Sequence, residues 1–403
     1  MEEWKEYKLG NILQISSGFA YKGKDIGYGN NCLLGMGCVS FKEKFLKSGV
    51  RNYNGDCPEK YCVKPNDMVL ATRQQSDNLP ILGMPAIIPD DLKGDKIIVG
   101  ANLYKVENKS DFDSQYIYWL LKSPSYVDYI RSCQTGTTVR MITKANIESY
   151  SFLAPNKKCR DRIVSILSSL DDKIEVNRRI NEQLEELAGA LFKSWFVDFE
   201  PFKDGEFVES ELVKLGSVIN TTSGGTPSRK HMEYYGGNHG WVKSKELNGT
   251  FIIDTEETIT DDAIAKSSAK LLPEKSILIA MYGATVGQYA VLSKPMTCNQ
   301  AVCALLPNDD YPYTFLFMFA KNKKDELINK AVGSAQQNIS QILIKDLDIS
   351  NDTKKIKEYH KIVGPAFEII LKKQQEIAHL TTLRDTLLPK LMSGEIDVNE
   401  VKI

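Results

Sequence analysis

Hydrophobic and polar positions follow two different patterns along the chain. In residues 157–197 apolar side chains alternate spacings of four and three, which is the seam of a coiled coil, and the segment 353–392 follows that pattern less regularly. Elsewhere, short β-branched runs such as 96–99 and 251–253 are separated by Gly, Pro and Asn, which predicts strands and turns. The chain therefore predicts two long helices, each in need of a partner, and regions of mixed α and β structure.

The mixed regions repeat, with a period near half the chain length. Matches that run in the same order in both halves are hard to obtain by chance. We interpret residues 1–155 and 201–352 as two versions of one α+β domain with different loops, and we predict a helix at about 115–131 and again at about 313–331. The matched residues are Leu9 with Leu215, Met68-Val69-Leu70 with Ser276-Ile277-Leu278, Tyr116 with Tyr313, Gly136 with Gly333, Ile142 with Ile339 and Ile147 with Ile344.

The two long helices fall in the regions 156–200 and 353–403, each after one copy of the repeated domain. At 1.5 Å per residue, about forty residues make a rod of roughly 60 Å. The economical arrangement pairs the helices as an antiparallel coiled coil that separates the two copies and relates them by a pseudo-twofold axis.

Several residues should shape these helices. Asn156 is expected to cap the first helix, and Gly364-Pro365 should kink the second, because proline cannot donate a hydrogen bond to the preceding turn. Asn177 and Gln374 fall near the helix centres, where they either form one polar layer that fixes the register or face solvent.

Composition narrows the class of protein. With 403 residues and 42% hydrophobic content, the chain can bury substantial cores in two or three domains. The net charge of −1 argues against a uniformly basic DNA-coating protein but allows local basic patches. Eight cysteines without a C-x-x-C pair are expected to be free thiols rather than zinc ligands. The absence of a signal-like start and of a run of about 18 apolar residues predicts a cytoplasmic protein without a membrane segment.

Nucleotide-binding motifs fail on context. The stretch from Gly18 to Lys24 imitates the phosphate-binding loop G-x-x-x-x-G-K, but Asp25 replaces the Ser or Thr that would bind magnesium. We therefore expect no nucleotide site in this loop.

Two short segments lie at the ends of the predicted long helices. They are Leu191-Phe192-Lys193-Ser194-Trp195-Phe196-Val197-Asp198-Phe199-Glu200-Pro201-Phe202 and Leu387-Leu388-Pro389-Lys390-Leu391-Met392-Ser393-Gly394-Glu395-Ile396. These segments resemble the ends of the central and distal conserved regions of Type I restriction-modification specificity subunits. That family places both segments directly after its long helices, and the resemblance covers the whole chain.

The resemblance implies a function for each part of the chain. Each copy is expected to be a target recognition domain that reads one half of a bipartite double-stranded DNA target. The helices would set the spacing and bind two modification subunits, which methylate adenine, while restriction subunits cleave DNA. This chain would then be a non-catalytic subunit without a cofactor. S-adenosylmethionine would belong to the modification subunit, and ATP and magnesium to the restriction subunit.

Base reading needs donors and acceptors that reach a groove, so polar loop tips are the candidate DNA-binding residues. Arginine could pair with guanine and glutamine with adenine, although each residue is also compatible with a phosphate contact or a solvated loop. The DNA-binding candidates are Lys22, Lys24, Arg73, Gln74, Gln75, Thr137, Thr138 and Arg140 in the first copy, and Ser228, Arg229, Lys230, Gln336, Gln337 and Asn338 in the second.

Aromatic and apolar residues at the ends of the long helices are candidate contacts for the modification subunits. They are Trp195, Phe196, Phe199 and Leu388, and the competing interpretation is that they pack between helix and recognition domain.

Two other classes of function compete with this interpretation. A catalytic fusion is disfavoured because the sequence lacks the Asn-Pro-Pro-Tyr or Asp-Pro-Pro-Tyr type of motif that amino-methyltransferases use. A coiled-coil interaction protein would bind DNA, if at all, without sequence preference, so salt-dependent and sequence-selective binding would distinguish it.

Overall fold

The computed structural model describes residues 4–75, 80–199, 211–331 and 338–401. The chain forms two compact units, of which the first comprises residues 1–172 with 380–403 and the second comprises residues 173–379. The boundary crosses both long helices, so each unit holds one copy of the repeated domain together with parts of both helices.

The first copy is built on two four-stranded sheets. The main sheet is antiparallel, with the strand order Leu13–Ser17, Leu103–Asn108, Met68–Ala71 and Pro85–Ile87. The second sheet has the order Val50–Tyr53, Ile26–Leu34, Ile97–Val99 and Cys62–Val63, and its two central strands are parallel. Two short antiparallel pairs complete the copy, Lys5–Lys8 with Ser151–Ala154 and Arg73–Gln74 with Arg140–Met141.

The second copy repeats this plan, which confirms the predicted duplication. Its main sheet has the order Asn220–Ser223, Val302–Leu306, Ile277–Ala280, Tyr289–Leu292 and Phe251–Ile252. Its second sheet has the order Thr258–Ile259, Tyr235–Val242 and Thr297–Cys298, again with one parallel pair, and Leu212–Lys214 pairs with Asp348–Ser350.

The short helices correct one prediction. The helix expected at about 115–131 is two helices, Ser114–Lys122 and Pro124–Cys133, because the Ser123 hydroxyl caps the second one and Pro124 begins it. The helix expected in the second copy is confirmed as Tyr313–Lys330. The remaining short helices are Leu9–Ile12, Lys144–Glu148, Leu215–Val218, Asp261–Lys266 and Gln341–Lys345.

The long helices span Lys157–Phe196 and Thr353–Ser393. The expected cap is present, because the Asn156 Oδ1 atom accepts a hydrogen bond of 3.1 Å from the backbone nitrogen of Cys159. Asp352 caps the other helix in the same way, at 2.9 Å from the nitrogen of Lys355. Gly364-Pro365, where we expected a kink, lies within a continuous helix.

Each unit packs the start of one long helix against the end of the other, as an antiparallel pair requires. In the first unit Ile163 and Leu167 share a core with Leu388 and Leu391. In the second unit a corresponding core joins the two helices to the recognition domain. Its helix residues are Ala188, Phe192, Tyr359, Val363, Phe367 and Ile370.

The predicted polar layer of Asn177 and Gln374 is wrong. Asn177 is fully buried, so it does not face solvent either, and its side chain lies beside the Glu376 carboxylate, whose pKa is lowered first by the Lys373 ammonium and also by Asn177. The Gln374 Oε1 atom instead accepts a hydrogen bond of 3.1 Å from the backbone nitrogen of Phe251, at the edge of the main sheet. Gln374 therefore joins its helix to the second recognition domain.

In the part of the chain that the structure describes, no helix is long and apolar enough to cross a membrane. Within the same ranges, no three His, Cys, Asp or Glu side chains are grouped so that they could hold a metal ion. All eight cysteines are unbridged.

Candidate nucleic-acid interface

Two of the predicted DNA-binding segments lie side by side in the first copy. The strand Met68–Ala71 continues through Thr72 into Arg73–Gln74, which pairs with Arg140–Met141 so that Arg73 faces Met141. The backbone nitrogen of Ile142 donates a hydrogen bond of 3.1 Å to the Thr72 carbonyl oxygen. We call residues 72–75 together with 135–142 the first corner.

A tight turn presents the tip of the first corner. Thr135 and Met141 exchange backbone hydrogen bonds of 3.0 and 2.8 Å, which close the turn. Gly136 has a φ of +91°, and a Cβ atom there would lie 2.2 Å from the Val139 carbonyl oxygen, so the turn requires glycine. Thr137 and Thr138 are consequently exposed beyond it.

The first corner is cationic. Arg73 is exposed, and its guanidinium makes no ion pair or hydrogen bond with any residue that the structure describes. Burial raises the pKa of the nearby Tyr104 phenol, and the positive charge of Arg73 acts in the opposite direction. The Lys144 Nζ atom lies 5.9 Å from the centre of the Tyr104 ring, and Arg140 lies on the strand beside Arg73. Arg73, Arg140 and Lys144 therefore give this part of the first copy three basic side chains.

Gln74 is a correction to the predicted site. Its side chain is buried, because successive residues of a strand point to opposite sides, and its Oε1 atom accepts a hydrogen bond of 3.3 Å from the Leu82 backbone nitrogen. Gln74 therefore supports the corner from within and is not placed to read bases. The neighbouring Gln75 is exposed.

Lys22 and Lys24 occupy a separate exposed turn of the first copy. Lys22 precedes the short 3-10 turn Gly23–Asp25 and Lys24 lies within it, and the turn leads into the strand Ile26–Leu34. Neither ammonium group forms an ion pair within the described ranges. These two lysines therefore remain predicted phosphate contacts.

Arg229 is a second correction. Its guanidinium pairs with the Glu257 carboxylate at 2.6 Å and lies 4.1 Å from the ring centre of Tyr235 and 5.5 Å from that of Trp241. An arginine committed in this way to a carboxylate and two rings is not free to read a base. Its neighbours Ser228 and Lys230 are exposed and remain predicted contacts.

A corner of the same construction occurs in the second copy. Asn338 forms a backbone bridge with Tyr282, and the Ile339 nitrogen donates a hydrogen bond of 2.9 Å to the Met281 carbonyl oxygen. We call residues 281–283 together with 338–342 the second corner. Of the predicted residues, Asn338 lies in it and is exposed, whereas Gln336 and Gln337 lie outside the described residues.

Tyr282 is a residue that sequence reasoning missed. Leu103 in the first copy and Val302 in the second mark the same strand position, because the backbone nitrogens of Gly18 and Gly224 donate hydrogen bonds to their carbonyl oxygens. The strand partner of Leu103 is Ala71, and the strand partner of Val302 is Ala280. The sequence match at this strand was therefore one residue short. With that correction, Tyr282 occupies the position of Arg73.

The residues predicted to bind partners are mostly packed within the units. Phe196 lies against Phe315 at 4.9 Å between ring centres, and Trp195 lies 6.3 Å from Tyr359. Leu388 is buried in the core of the first unit, which corrects its assignment to an exposed patch. Phe199 is partly buried and has a φ of +50°. These contacts favour the packing interpretation.

Other apolar residues of the long helices are exposed instead. In the second unit Val176 and Leu187 are exposed on one long helix, and Ile362 and Ile369 on the other. The members of each pair are eleven or seven residues apart, which is close to three or two turns at about 3.6 residues per turn, so they lie on one side of their helix.

The chain is similar to a known protein family along most of its length. A model of the "Type I restriction modification DNA specificity domain" matches residues 1–186 and 208–380. The HindI specificity subunit of Haemophilus influenzae is 28% identical over 98% of this chain and 100% of its own length. The MjaIX specificity subunit of Methanocaldococcus jannaschii is 28% identical over 99% and 95%.

Among solved structures, the Type I system S subunit from M. genitalium is similar in fold. Its TM-score is 0.56 at 16% identity, over 97% of this chain and 96% of that one. The two matches of the family model each cover one copy with its corner. The chain therefore belongs to the family of Type I restriction-modification specificity subunits.

Proposed function

We propose that residues 1–155 and 201–352 each read one half of a bipartite double-stranded DNA target, while the helical regions 156–200 and 353–403 set the spacing and bind two modification subunits. The observation that carries this proposal is the corner that the two copies build with the same backbone hydrogen bonds and with different side chains. A shared scaffold with different reading groups suits two different half-sites.

The chemistry of the first corner supports DNA as its ligand. An exposed arginine that forms no ion pair with any described residue can pair with the O6 and N7 atoms of guanine, and exposed threonines can contact phosphates. Arg73 and the turn residues Thr137 and Thr138 offer these groups together. Lys22, Lys24 and Lys230 would add sequence-independent attraction to the backbone.

Catalysis belongs to other subunits in this proposal. As a specificity subunit the chain supplies recognition, and the modification subunits would carry S-adenosylmethionine and methylate adenine. Restriction subunits would hold ATP and magnesium and cleave DNA. Because these partners act on cellular DNA, we also propose that the chain works in the cytoplasm.

The exposed apolar sides of the long helices are the proposed contact for the modification subunits. Leu187 is 67% exposed and Ile362 53% exposed, which is unusual for large aliphatic side chains on helices that already bury a seam. Helices of a partner could cover them in the way that the seam covers its own residues.

Domain replacement tests the reading function. A chain in which residues 1–155 are replaced by the equivalent segment of a relative is assembled with the modification subunit, and the methylated adenines are mapped across a genome. We expect one half-site to change and the other to stay the same. If both halves change, or neither does, the two copies are not independent readers.

Surface substitution tests the partner contact. Leu187→Asp and Ile362→Asp should each reduce recovery of the modification subunit with the chain, without lowering its melting temperature. Leu212→Asp is the matched control, because Leu212 is 55% exposed on an edge strand of the second copy. Equal recovery for all three variants would place the contact elsewhere.

A further inference from the structure

We propose that the second copy reads its half-site with Tyr282 and Asn338, and that these residues select an A·T base pair where the first copy uses Arg73 to select guanine. The inference rests on the proposed function, in which both copies read DNA.

Backbone geometry makes the two corners equivalent. The Ile142 nitrogen binds the Thr72 oxygen at 3.1 Å, and the Ile339 nitrogen binds the Met281 oxygen at 2.9 Å. Arg73 directly follows Thr72, and Tyr282 directly follows Met281, so Arg73 corresponds to Tyr282. The residue that faces it is Met141 in the first corner and Asn338 in the second.

Both side chains of the second corner are available to a ligand. Tyr282 is 39% exposed, and within the described ranges no side chain hydrogen bonds to its hydroxyl. Asn338 is exposed, its bridge to Tyr282 uses backbone atoms, and no side chain within the described ranges hydrogen bonds to its amide. Ile342, on the helix that follows, is 77% exposed.

Arg229 and Lys230, the basic residues predicted to bind DNA in the second copy, are less suited to base recognition than Tyr282 and Asn338. Arg229, the arginine that the sequence singled out there, is held by Glu257 and by two aromatic rings. Lys230 is exposed but is a flexible point charge, which suits a phosphate better than a base edge. The second corner is therefore the better candidate for base recognition.

The chemistry of the second corner favours A·T. An asparagine amide pairs with the N6 and N7 atoms of adenine, and an apolar or aromatic side chain packs on the thymine methyl group. The first corner offers a guanidinium at the equivalent place, and guanine O6 and N7 are its best major-groove acceptors. We expect the A·T pair to be one that is not itself methylated.

The test uses the full chain assembled with its modification subunit. A set of DNA duplexes is prepared in which each base pair of the mapped target is changed in turn. We then measure the relative affinity of each duplex for the wild-type assembly and for the variants Arg73→Ala, Tyr282→Ala, Tyr282→Phe and Asn338→Ala. Arg73→Ala should lower the preference for one G·C pair of the first half-site by about tenfold or more, as loss of a good base contact does. Tyr282→Ala and Asn338→Ala should do the same for an A·T pair of the second half-site only.

Two controls separate reading from folding and from general affinity. Tyr282→Phe keeps the ring and should retain most of the preference, which guards against a collapsed corner in the alanine variant. Lys230→Ala should weaken binding equally to all sequences, because a phosphate contact carries no base information.

The possible failures are distinguishable. If the wild-type assembly methylates a bipartite target but Tyr282→Ala and Asn338→Ala keep the full second half-site preference, the inference is overturned and the proposed function stands. If either variant alters the first half-site, or relaxes a G·C pair instead, the inference is also overturned. If the wild-type assembly shows no bipartite preference at all, the proposed function itself fails.

Discussion

The two corners have the same backbone and different side chains. The carbonyl oxygens of Thr72 and Met281 accept equivalent backbone hydrogen bonds, but the next residue is Arg73 in the first corner and Tyr282 in the second. The duplicated domain thus fixes its scaffold through backbone hydrogen bonds and through buried strands. Exposed side chains at the corner are not needed for that scaffold, so they can differ between the copies without changing the fold.

The long helices also place different side chains at equivalent positions of the two units. Counted from the caps Asn156 and Asp352, Asp171 corresponds to Phe367, and Ala188 corresponds to Arg384. In the first unit Arg384 and Asp171 form a buried ion pair at 2.5 Å, and Lys44 approaches the same carboxylate at 3.4 Å. In the second unit Phe367 and Ala188 belong to an apolar core. Equivalent positions therefore hold a charged contact in one unit and an apolar contact in the other.

The largest effect is expected at this ion pair. Asp171→Ala should lower the free energy of unfolding by about 3 kcal/mol, the lower end of the range for a broken buried pair, because the buried Arg384 guanidinium loses this partner but keeps the half-exposed carboxylate of Asp385 at 2.8 Å. The double variant Asp171→Leu with Arg384→Met imitates the apolar arrangement of the second unit and should recover most of the loss. Chemical denaturation of the three proteins measures this. A loss below about 1 kcal/mol for Asp171→Ala would mean that the pair behaves as a surface ion pair.

Two glycines give a smaller and opposite pair of effects. Gly394, after one long helix, has a φ of +76°, and a Cβ atom there would lie 2.6 Å from the Trp4 ring. Gly394→Ala should destabilise the first unit by about 1–3 kcal/mol. Gly189 lies inside the other long helix with open space around it, so Gly189→Ala should stabilise by about 0.5–1 kcal/mol. Melting temperatures that move in the same direction for both variants would contradict this account.

Much of this architecture was predictable, because it depends on patterns that are local or that repeat. Heptad spacing located both long helices, and the repeat located both copies. The prediction missed the break at Ser123-Pro124, since a cap and a proline were outweighed by the apolar pattern around them. It also moved one strand by a residue, which hid Tyr282.

The site was less predictable, because the partners of its residues are distant in the sequence. Arg229 looked free until the fold placed Glu257 and Tyr235 beside it, and Gln74 looked exposed until strand alternation turned it towards Leu82. Arg73 and Arg140 were chosen separately, and only the pairing of their strands joins them in one corner. Leu388 was assigned to the surface from its position at a helix end, whereas the core of the first unit covers it.

Salt dependence separates phosphate contacts from the corner residues. For the assembled complex, the slope of log affinity against log salt should decrease in magnitude by about one for Lys22→Ala and again for Lys24→Ala, as expected for each lost phosphate contact. Tyr282→Ala should leave the slope unchanged, because the residue carries no charge. An unchanged slope in the double lysine variant would place that turn away from DNA.

The smallest expected effect is a pH dependence confined to the second unit. Burial lowers the pKa of His360, and the Lys275 charge lowers it further, while Glu368 acts in the opposite direction. The imidazole Nδ1 atom lies 2.9 Å from the Thr314 hydroxyl, and the corresponding residue of the first unit is Val164.

Because the folded pKa of His360 is below the unfolded value, the neutral form is favoured in the fold. The stability that this residue contributes is therefore present above the unfolded pKa, near 6.5, and is lost as the pH falls below it. Between pH 7.5 and 5.5 the loss should stay under about 1.4 kcal/mol per pH unit, which is the limit for one titrating group. His360→Val, which copies the first unit, should remove this part of the pH dependence, and the exposed His379→Val should not. Unfolding free energies of the three proteins at both pH values decide the matter, since equal slopes in all three would show that His360 does not couple protonation to folding.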